Sequence, residues 1–135
     1  MIVIKKIDHI VLRTERPDAM IAFYCGTLGC AVERQLPDIG ITQLRAGECL
    51  IDIVAVDSEI GRMGGGAPSA SGNNLDHFCL QLEAFDENEL SAFLKGRGVE
   101  LGEFVNRYGA QGTGRSLYIK DTDGNTIELK AIQAS

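Results

Sequence analysis

The chain has 135 residues, of which 44% are hydrophobic and 24% are charged, a composition typical of a globular rather than a disordered protein. A net charge of −6 provides no basic surface, so we expect neither a nucleic acid nor an anionic membrane as a partner. No apolar run approaches the roughly 18 residues of a membrane-spanning helix, and the first residues lack the order of a signal peptide, which predicts a cytoplasmic protein.

The first half begins with a strand and a helix. Residues 9–14 (HIVLRT) are a short, mostly apolar run with β-branched residues, as in a strand. Asp18 is predicted to cap the N-terminus of the helix and Gly29 to end it in the left-handed conformation. Between them, apolar residues recur at helical spacing: Met20, Phe23, Tyr24 and Leu28.

Three further strands are predicted in this half, at residues 30–35, 41–47 and 49–56. A stretch rich in Gly, Ser and Pro then follows at about residues 58–73. Its composition predicts an exposed linker.

The second half repeats the order of the first. Residues 77–82 are predicted to form a strand, Asp86 to cap a helix and Gly98 to end it. Strands are expected at residues 99–104, 115–121 and 126–132. The glycine-rich residues 109–115 are predicted to be a flexible loop that covers a ligand.

The repeat predicts an α+β protein built from two tandem βαβββ modules. The first module spans about residues 4–57 and the second about residues 74–133, within a single domain of residues 1–135. The sequence "KIDHIVLRT" near the start returns as "NLDHFCLQL" after the linker, and these two phrases hold both histidines of the chain, His9 and His77.

Two polar residues in each module, four in all, are expected on the face that the helix of the module does not cover. Strand alternation puts His9 opposite Ile10, and His77 opposite Phe78. The last strand of each module carries one carboxylate between two apolar residues, Asp52 in the first and Glu128 in the second. Two imidazoles and two carboxylates form a chemically coherent ligand set for a divalent metal. By the same alternation, the Asp before each His is expected to face the other way and to be structural.

Four stretches of the sequence resemble the glyoxalase / bleomycin-resistance / extradiol dioxygenase superfamily, also called vicinal oxygen chelate. They are "DHIVLRT", "FYCGTLG", "LDHFCLQL" and "DTDGNTIELKA". The resemblance extends from about residue 7 to residue 131 and is closest to an uncharacterised glyoxalase-domain branch. It implies curved mixed sheets around a metal and ligand site, with metal ligands at His9, Asp52, His77 and Glu128.

The function that the resemblance implies is a metal-dependent lyase or isomerase acting on a small substrate with vicinal oxygens. The metal, which would be Ni, Zn, Mn, Co or Fe, would chelate the two oxygens and stabilise an enediolate. Glu128 is the first candidate for the base that moves a proton between adjacent carbons, and Asp52 is its symmetric partner.

Two arginines are predicted to bind the substrate, Arg13 and Arg115. Arg13 matches the arginine with which glyoxalase I holds the carboxylate of glutathione. Other positions depart from glyoxalase I, which usually has Glu at the position of Asp52 and holds glutathione with Asn and Arg where this chain has Val56 and Asn73. These departures do not favour a glutathione hemithioacetal as the substrate.

Two alternative functions remain open at the level of sequence. An extradiol-type Fe(II) dioxygenase would use His9, His77 and Glu128 and leave Asp52 outside the ligand set. A metal-free module that binds a small drug, as bleomycin-resistance proteins do, would need an aromatic groove, whereas the chain has no Trp. The resemblance also implies a homodimer, with ligands drawn from one chain or from two.

Overall fold

The computed structural model of the protein describes residues 1–132. The chain divides into two units, Met1–Ser69 and a second that begins at Ala70. The predicted end of the second module, near residue 133, lies outside the described residues. Within residues 1–132, no helix is long and apolar enough to cross a membrane.

The first unit contains one helix and a sheet of four strands. Its sheet has the order β1-β4-β3-β2, in which β1 and β4 are parallel and the other pairs are antiparallel. The helix continues into a π-helical segment at Phe23–Thr27, and a short 3₁₀ helix lies at Gly61–Gly64. The elements are β1 at His9–Thr14, α1 at Pro17–Ala22, β2 at Ala31–Leu36, β3 at Ile41–Ala46 and β4 at Cys49–Ala55.

The second unit has the same order of elements. Its sheet has the order β5-β8-β7-β6, with β5 and β8 parallel and the other pairs antiparallel. The elements are β5 at Phe78–Gln81, α2 at Glu87–Gly96, β6 at Val105–Gly109, β7 at Gly112–Lys120 and β8 at Thr126–Ile132. The predicted α+β class, with two βαβββ repeats and curved mixed sheets, is confirmed.

Both helices end as predicted, but only one begins as predicted. Gly29 and Gly98 adopt φ angles of 78° and 77°, a region that favours glycine because it has no Cβ. The Asp86 side chain accepts a hydrogen bond from the Glu89 amide at 2.9 Å and so caps α2. Asp18 does not cap α1, because α1 begins one residue earlier at Pro17, whose fixed φ suits the first helical position.

The strand predicted at residues 99–104 is wrong, and so is the flexible loop predicted at residues 109–115. The structure has no strand at 99–104 and places β6 at Val105–Gly109 instead. Residues 110 and 111 form the turn of a hairpin between β6 and β7. The glycines suggest local flexibility, but ladder pairs such as Tyr108 with Thr113 hold both strands.

One face of each sheet is apolar and lies on the helix side. In the first unit this face carries four buried residues: Leu12, Leu44, Ile51 and Ile53. In the second unit the equivalent residues are Leu117, Ile119, Ile127 and Leu129. Fully burying such side chains contributes about 1.5–3 kcal/mol each. The opposite face of each sheet is therefore free for polar side chains.

Candidate metal-binding and catalytic site

In the first unit, strand register brings His9, Asp52 and Gln43 to the face opposite the apolar core. Asp52 is the register partner of both Val11 in β1 and Gln43 in β3, so these side chains share one face. The His9 Nε2 and Asp52 Oδ2 atoms are 4.0 Å apart. Gln43 Nε2 donates a hydrogen bond of 3.2 Å to the same carboxylate oxygen.

The second oxygen of Asp52 accepts no hydrogen bond from any residue of 1–132. Asp52 is only 2% exposed, and its Oδ1 atom is the one buried side-chain N or O atom without a partner among the described residues. A buried polar atom without a partner costs about 1–3 kcal/mol of stability. The atom is therefore available to a ligand that the protein alone does not supply.

In the second unit, His77 and Glu128 are closer together. The His77 Nε2 and Glu128 Oε1 atoms are 3.1 Å apart. Ser116 Oγ donates to the other carboxylate oxygen at 2.5 Å, and the Tyr118 ring meets the His77 imidazole edge to face at 5.3 Å. Glu128 is 6% exposed and its bond to Ser116 is buried, whereas the His77 side chain is 32% exposed.

Glu128 is held in its charged form. Burial raises the pKa of this carboxyl, but hydrogen bonds from Ser116, Tyr118 and His77 lower the pKa by more, and it lies below its usual value. A carboxylate that is already deprotonated can bind a metal without first losing a proton.

Both histidines are oriented by the residue before them. His9 Nδ1 donates to Asp8 Oδ1 at 2.7 Å, and His77 Nδ1 donates to Asp76 Oδ2 at the same distance. The expectation that these Asp residues face away was wrong, because each carboxylate accepts a hydrogen bond from the ring that follows it. Both Asp residues lie before the first residue of β1 or β5. With Nδ1 engaged, Nε2 is the nitrogen that each ring presents to its carboxylate.

These hydrogen bonds also affect the charge of the two rings. The pKa of His9 is raised, chiefly by its hydrogen bond to Asp8. The pKa of His77 is raised too, first by Asp76 and, against the opposing effect of burial, also by Glu128. Both ring nitrogens of His77 face carboxylate oxygens, which only accept, so the protonated ring fits this geometry.

Arg13 lies on the same strand as His9 but contacts the stretch that follows β4. It donates to three carbonyl oxygens, those of Gly61 at 2.9 Å, Gly65 at 2.6 Å and Gly66 at 3.1 Å. A Cβ added at Gly64 would clash with the guanidinium. Three of the five N–H groups of Arg13 are thus engaged with backbone.

The structure does not bring Arg115 to Glu128. Arg115 is the register partner of Ala131, on the face of β7 and β8 that carries the apolar residues. Its guanidinium forms a two-pronged ion pair with Glu87 in the first turn of α2, at 2.8 and 3.3 Å. Its role in substrate binding stays a prediction, and the contact that it makes holds α2 to the sheet.

The sequence model of the Glyoxalase/Bleomycin resistance protein/Dioxygenase superfamily matches residues 6–129 of this chain. The chain belongs to this superfamily. The resemblance predicted from four short sequence stretches is thereby confirmed. A search of the curated proteins found no match.

Solved structures share the superfamily fold along nearly the whole chain. A protein from the mobile metagenome of V. pseudocholerae is 26% identical, with a TM-score of 0.75 and coverage of 99% of each chain. A genomically encoded fosfomycin resistance protein from Listeria monocytogenes is 21% identical, with a TM-score of 0.70 and coverage of 97% of this chain and 96% of its own. A lactoylglutathione lyase from Agrobacterium tumefaciens is 17% identical, with a TM-score of 0.63 and coverage of 93% and 92%.

The donor atoms of the second unit fit a metal better than those of the first. Two adjacent ligands bound at about 2.1 Å are about 3.0 Å apart in octahedral geometry and about 3.4 Å apart in tetrahedral geometry. The His77–Glu128 separation of 3.1 Å falls in this range, whereas the His9–Asp52 separation of 4.0 Å exceeds it. Within residues 1–132, no three His, Cys, Asp or Glu side chains form a group that would hold a metal.

Sequence reasoning missed three residues that contact the pairs, Gln43, Ser116 and Tyr118. It also missed the orienting role that Asp8 and Asp76 share. Gln43 and Tyr118 occupy equivalent positions, because each is the register partner of its unit's carboxylate. Alternation within β3 and β7 indicates the face of these residues. The pairing partner depends on register between distant strands, which the sequence does not state.

Proposed function

We propose that this superfamily member is a metal-dependent lyase or isomerase of glyoxalase type, acting on a small substrate with two neighbouring oxygens. The observation that carries the proposal is the pair formed by His77 and Glu128, repeated in the other unit by His9 and Asp52. The proposed ligand set is these four residues. Their nitrogen and carboxylate donors suit Ni, Zn, Mn, Co and Fe.

The chemistry that a bound divalent metal would supply is that of a Lewis acid for two adjacent oxygens of the substrate. The orphaned Oδ1 of Asp52 supports this ligand set, since a cation would satisfy an acceptor that has no donor among the described residues. The hydrogen bonds that Asp8 and Asp76 accept from Nδ1 support it as well, because they leave Nε2 as the nitrogen that each ring presents to its carboxylate.

Glu128 is proposed to move the proton between adjacent carbons of the substrate, through an enediolate. Its carboxylate is charged and can accept a proton from a carbon next to a carbonyl group and return it to the neighbouring carbon. The Ser116 hydroxyl keeps Oε2 in place during this transfer. Asp52 is the proposed symmetric partner, with its Oδ1 atom unoccupied by any donor in the described part of the chain.

Arg13 is proposed to bind an anionic group of the substrate with the two N–H groups that the carbonyls of the 61–66 stretch leave over. No acidic side chain is among its hydrogen-bond partners in residues 1–132, so its charge is not neutralised by a carboxylate. Arg115 remains a proposed substrate residue, although its charge is paired with Glu87.

Metal analysis tests the proposal directly. Untagged protein is examined for bound elements and then titrated with Ni(II), Zn(II), Mn(II) and Fe(II), with His77→Ala alongside. Gln81→Ala is the matched control, since Gln81 is exposed at the far end of β5, the strand that begins directly after His77. We expect binding by the wild type and the control and a loss of at least about tenfold in His77→Ala. A protein that takes up none of the metals would contradict the proposal.

Turnover tests the role of Glu128. Once a substrate that the metal-loaded protein converts has been found, Glu128→Gln is expected to lower kcat by about 100-fold or more. Unchanged turnover in Glu128→Gln would remove Glu128 from the mechanism.

A homodimer is also proposed, and size-exclusion chromatography with light scattering measures whether the molar mass is that of two chains.

A further inference from the structure

Lys130 is a buried cation on the same face as Glu128. It follows Glu128 by two residues in β8 and is the register partner of Gln81 in β5 and of Ser116 in β7. Residues two apart in a strand face the same way, so the ammonium group belongs to the polar face of the second unit. Lys130 is only 4% exposed, which is rare for a lysine without a charged partner.

The glycines of the β6–β7 hairpin make room for this side chain. Lys130 Nζ donates to the Gly112 carbonyl oxygen at 2.7 Å. A Cβ added at Gly109 would lie 3.3 Å from Nζ and 3.8 Å from Cδ, so the lysine stem lies against bare backbone. An ammonium group has three donors, and this contact uses one of them.

The Lys130 ammonium forms no ion pair with a carboxylate in the described part of the chain. Within residues 1–132, the salt bridges at 4.0 Å or less do not include Lys130. The Cys79 thiol interacts electrostatically with both the Glu128 carboxylate and the Lys130 ammonium, which indicates that Lys130 is close to the His77–Glu128 pair. Cys79 is itself exposed, so this part of the face reaches solvent.

A purely structural role explains the charge poorly. A buried ammonium loses its hydration, and one neutral carbonyl does not replace it, so an apolar side chain of similar length would fill the space at lower cost. A cation held in this way has its two remaining donors ready for an anion that enters from solvent.

We propose that Lys130 is an anion-binding residue of the candidate site and that its ligand is the carboxylate of a small organic acid. The carboxylate accepts hydrogen bonds from the two N–H groups of Lys130 that are not bonded to Gly112. The identity of the substrate rests on the proposed function: if that function holds, the substrate is a small acid. Its carboxylate then lies at Lys130 and its vicinal oxygens lie toward Glu128.

Oxalate titration of the full-length, metal-stripped protein tests this inference by NMR. The amide signals of Lys130 and Gly112 and the side-chain Cε–Hε signals of Lys130 should shift in a saturable manner. Lys130→Met should weaken oxalate binding by about tenfold or more, the effect of losing one charge-assisted hydrogen bond. Lys130→Arg, which keeps the charge, should retain most of the binding. Neutral oxamide should produce no such shift.

Lys120→Met is the matched control, because Lys120 is an exposed lysine of the neighbouring strand bonded to Thr126 at 2.7 Å. It should change oxalate affinity by less than about twofold. Equal losses in the two variants, or no saturable shift at Lys130 in the wild type, would overturn the inference. If Lys130→Met does not fold, the Cε–Hε signals of Lys130 and Lys120 in the wild type decide the same question.

The two proposals fail separately. Because the titration contains no metal, protein that binds oxalate at Lys130 but takes up no metal would contradict the proposed function and support the anion site. Protein that binds metal but shows no oxalate effect at Lys130 would overturn the anion site alone.

Discussion

The two units carry the same pair of residue types at the same strand positions, yet the pairs differ in how closely they meet. In the second unit, Nε2 of His77 is 3.1 Å from the Glu128 carboxylate, and in the first unit Nε2 of His9 is 4.0 Å from the Asp52 carboxylate. Glutamate is longer than aspartate by one carbon–carbon bond, about 1.5 Å, which accounts for a difference of this size.

The donors around the carboxylates differ as well. Glu128 accepts from His77 on Oε1 and from Ser116 on Oε2, and it also accepts a side-chain hydrogen bond from Tyr118. Asp52 accepts from Gln43 on Oδ2 and has no donor on Oδ1 among the described residues. In the second unit both carboxylate oxygens thus have donors, whereas in the first unit Oδ1 of Asp52 has none among the described residues. The two units therefore share the positions of the His and the carboxylate but differ in the hydrogen bonds that hold the carboxylate.

The largest expected effect compares the two carboxylates as metal ligands. Glu128→Gln should lower the affinity for Zn(II) or Ni(II) by about 100-fold or more, because it removes a charged donor from the pair that already has ligand spacing. Asp52→Asn should lower it by only about tenfold. Isothermal titration calorimetry measures both, and equal losses would show that the first unit's pair closes on the metal as fully as the second.

The next effect compares the donors to the carboxylates. Ser116→Ala leaves Oε2 of a buried carboxylate without its donor and should lower the free energy of unfolding by about 1–3 kcal/mol. Gln43→Ala removes a longer bond of 3.2 Å from a half-buried residue and should cost about 1 kcal/mol. Urea unfolding at neutral pH gives both values, and a larger loss in Gln43→Ala would reverse the comparison.

The pH dependence of stability should reflect Glu128. Its pKa is lower in the folded protein than the ordinary value of 4.5, so the unfolded chain binds this proton more tightly. The resulting stability is complete above about pH 4.5 and is lost as the pH falls through the folded pKa. Glu128→Gln should therefore flatten the free energy of unfolding between pH 6 and pH 3.

Glu33→Gln is the control for this pH dependence. The pKa of Glu33 is also lowered, by its hydrogen bond to Arg45, but both side chains are exposed. Salt at 0.5 M should screen the Glu33 contribution and leave most of that of Glu128, since buried interactions are screened less. An equal response of both contributions to salt would contradict the expectation that burial shields the hydrogen bonds of Glu128 from screening.

The smallest effect concerns the histidines. The pKa of His77 is raised first by Asp76 and then by Glu128, whereas the pKa of His9 is raised first by Asp8. Asp76→Asn should therefore lower the pKa of His77 and leave that of His9 unchanged, and Asp8→Asn should do the reverse. NMR titration of the imidazole signals measures both pKa values, and a change at the ring of the other unit would contradict the local origin of these shifts.

Much of the candidate site was predictable from sequence because strand alternation is a local property. The faces of His9, Asp52, His77 and Glu128 followed from the apolar residues beside them, and the repeat made the four a set. The same alternation, applied to β7, puts Arg115 on the side of Leu117, where the structure has it. The assignment of Arg115 to the substrate did not use that information.

The errors occurred where local patterns end. The strand at residues 99–104 and the loop at 109–115 were predicted from composition, but pairing between β6 and β7 decides which residues form the ladder. Asp8 and Asp76 precede their strands, so they follow no alternation and turn to the imidazoles instead.

The sequence by itself determined the duplication, the α+β class, the superfamily and the face of each candidate ligand, because each depends on residue types at short spacing. Only the tertiary structure decided that Ser116 and Gln43 meet the carboxylates, that the two His–carboxylate pairs differ in separation, and that Lys130 lies buried against a glycine-lined hairpin. These features depend on the register between strands distant in sequence and on side-chain length across that register, which no local pattern records.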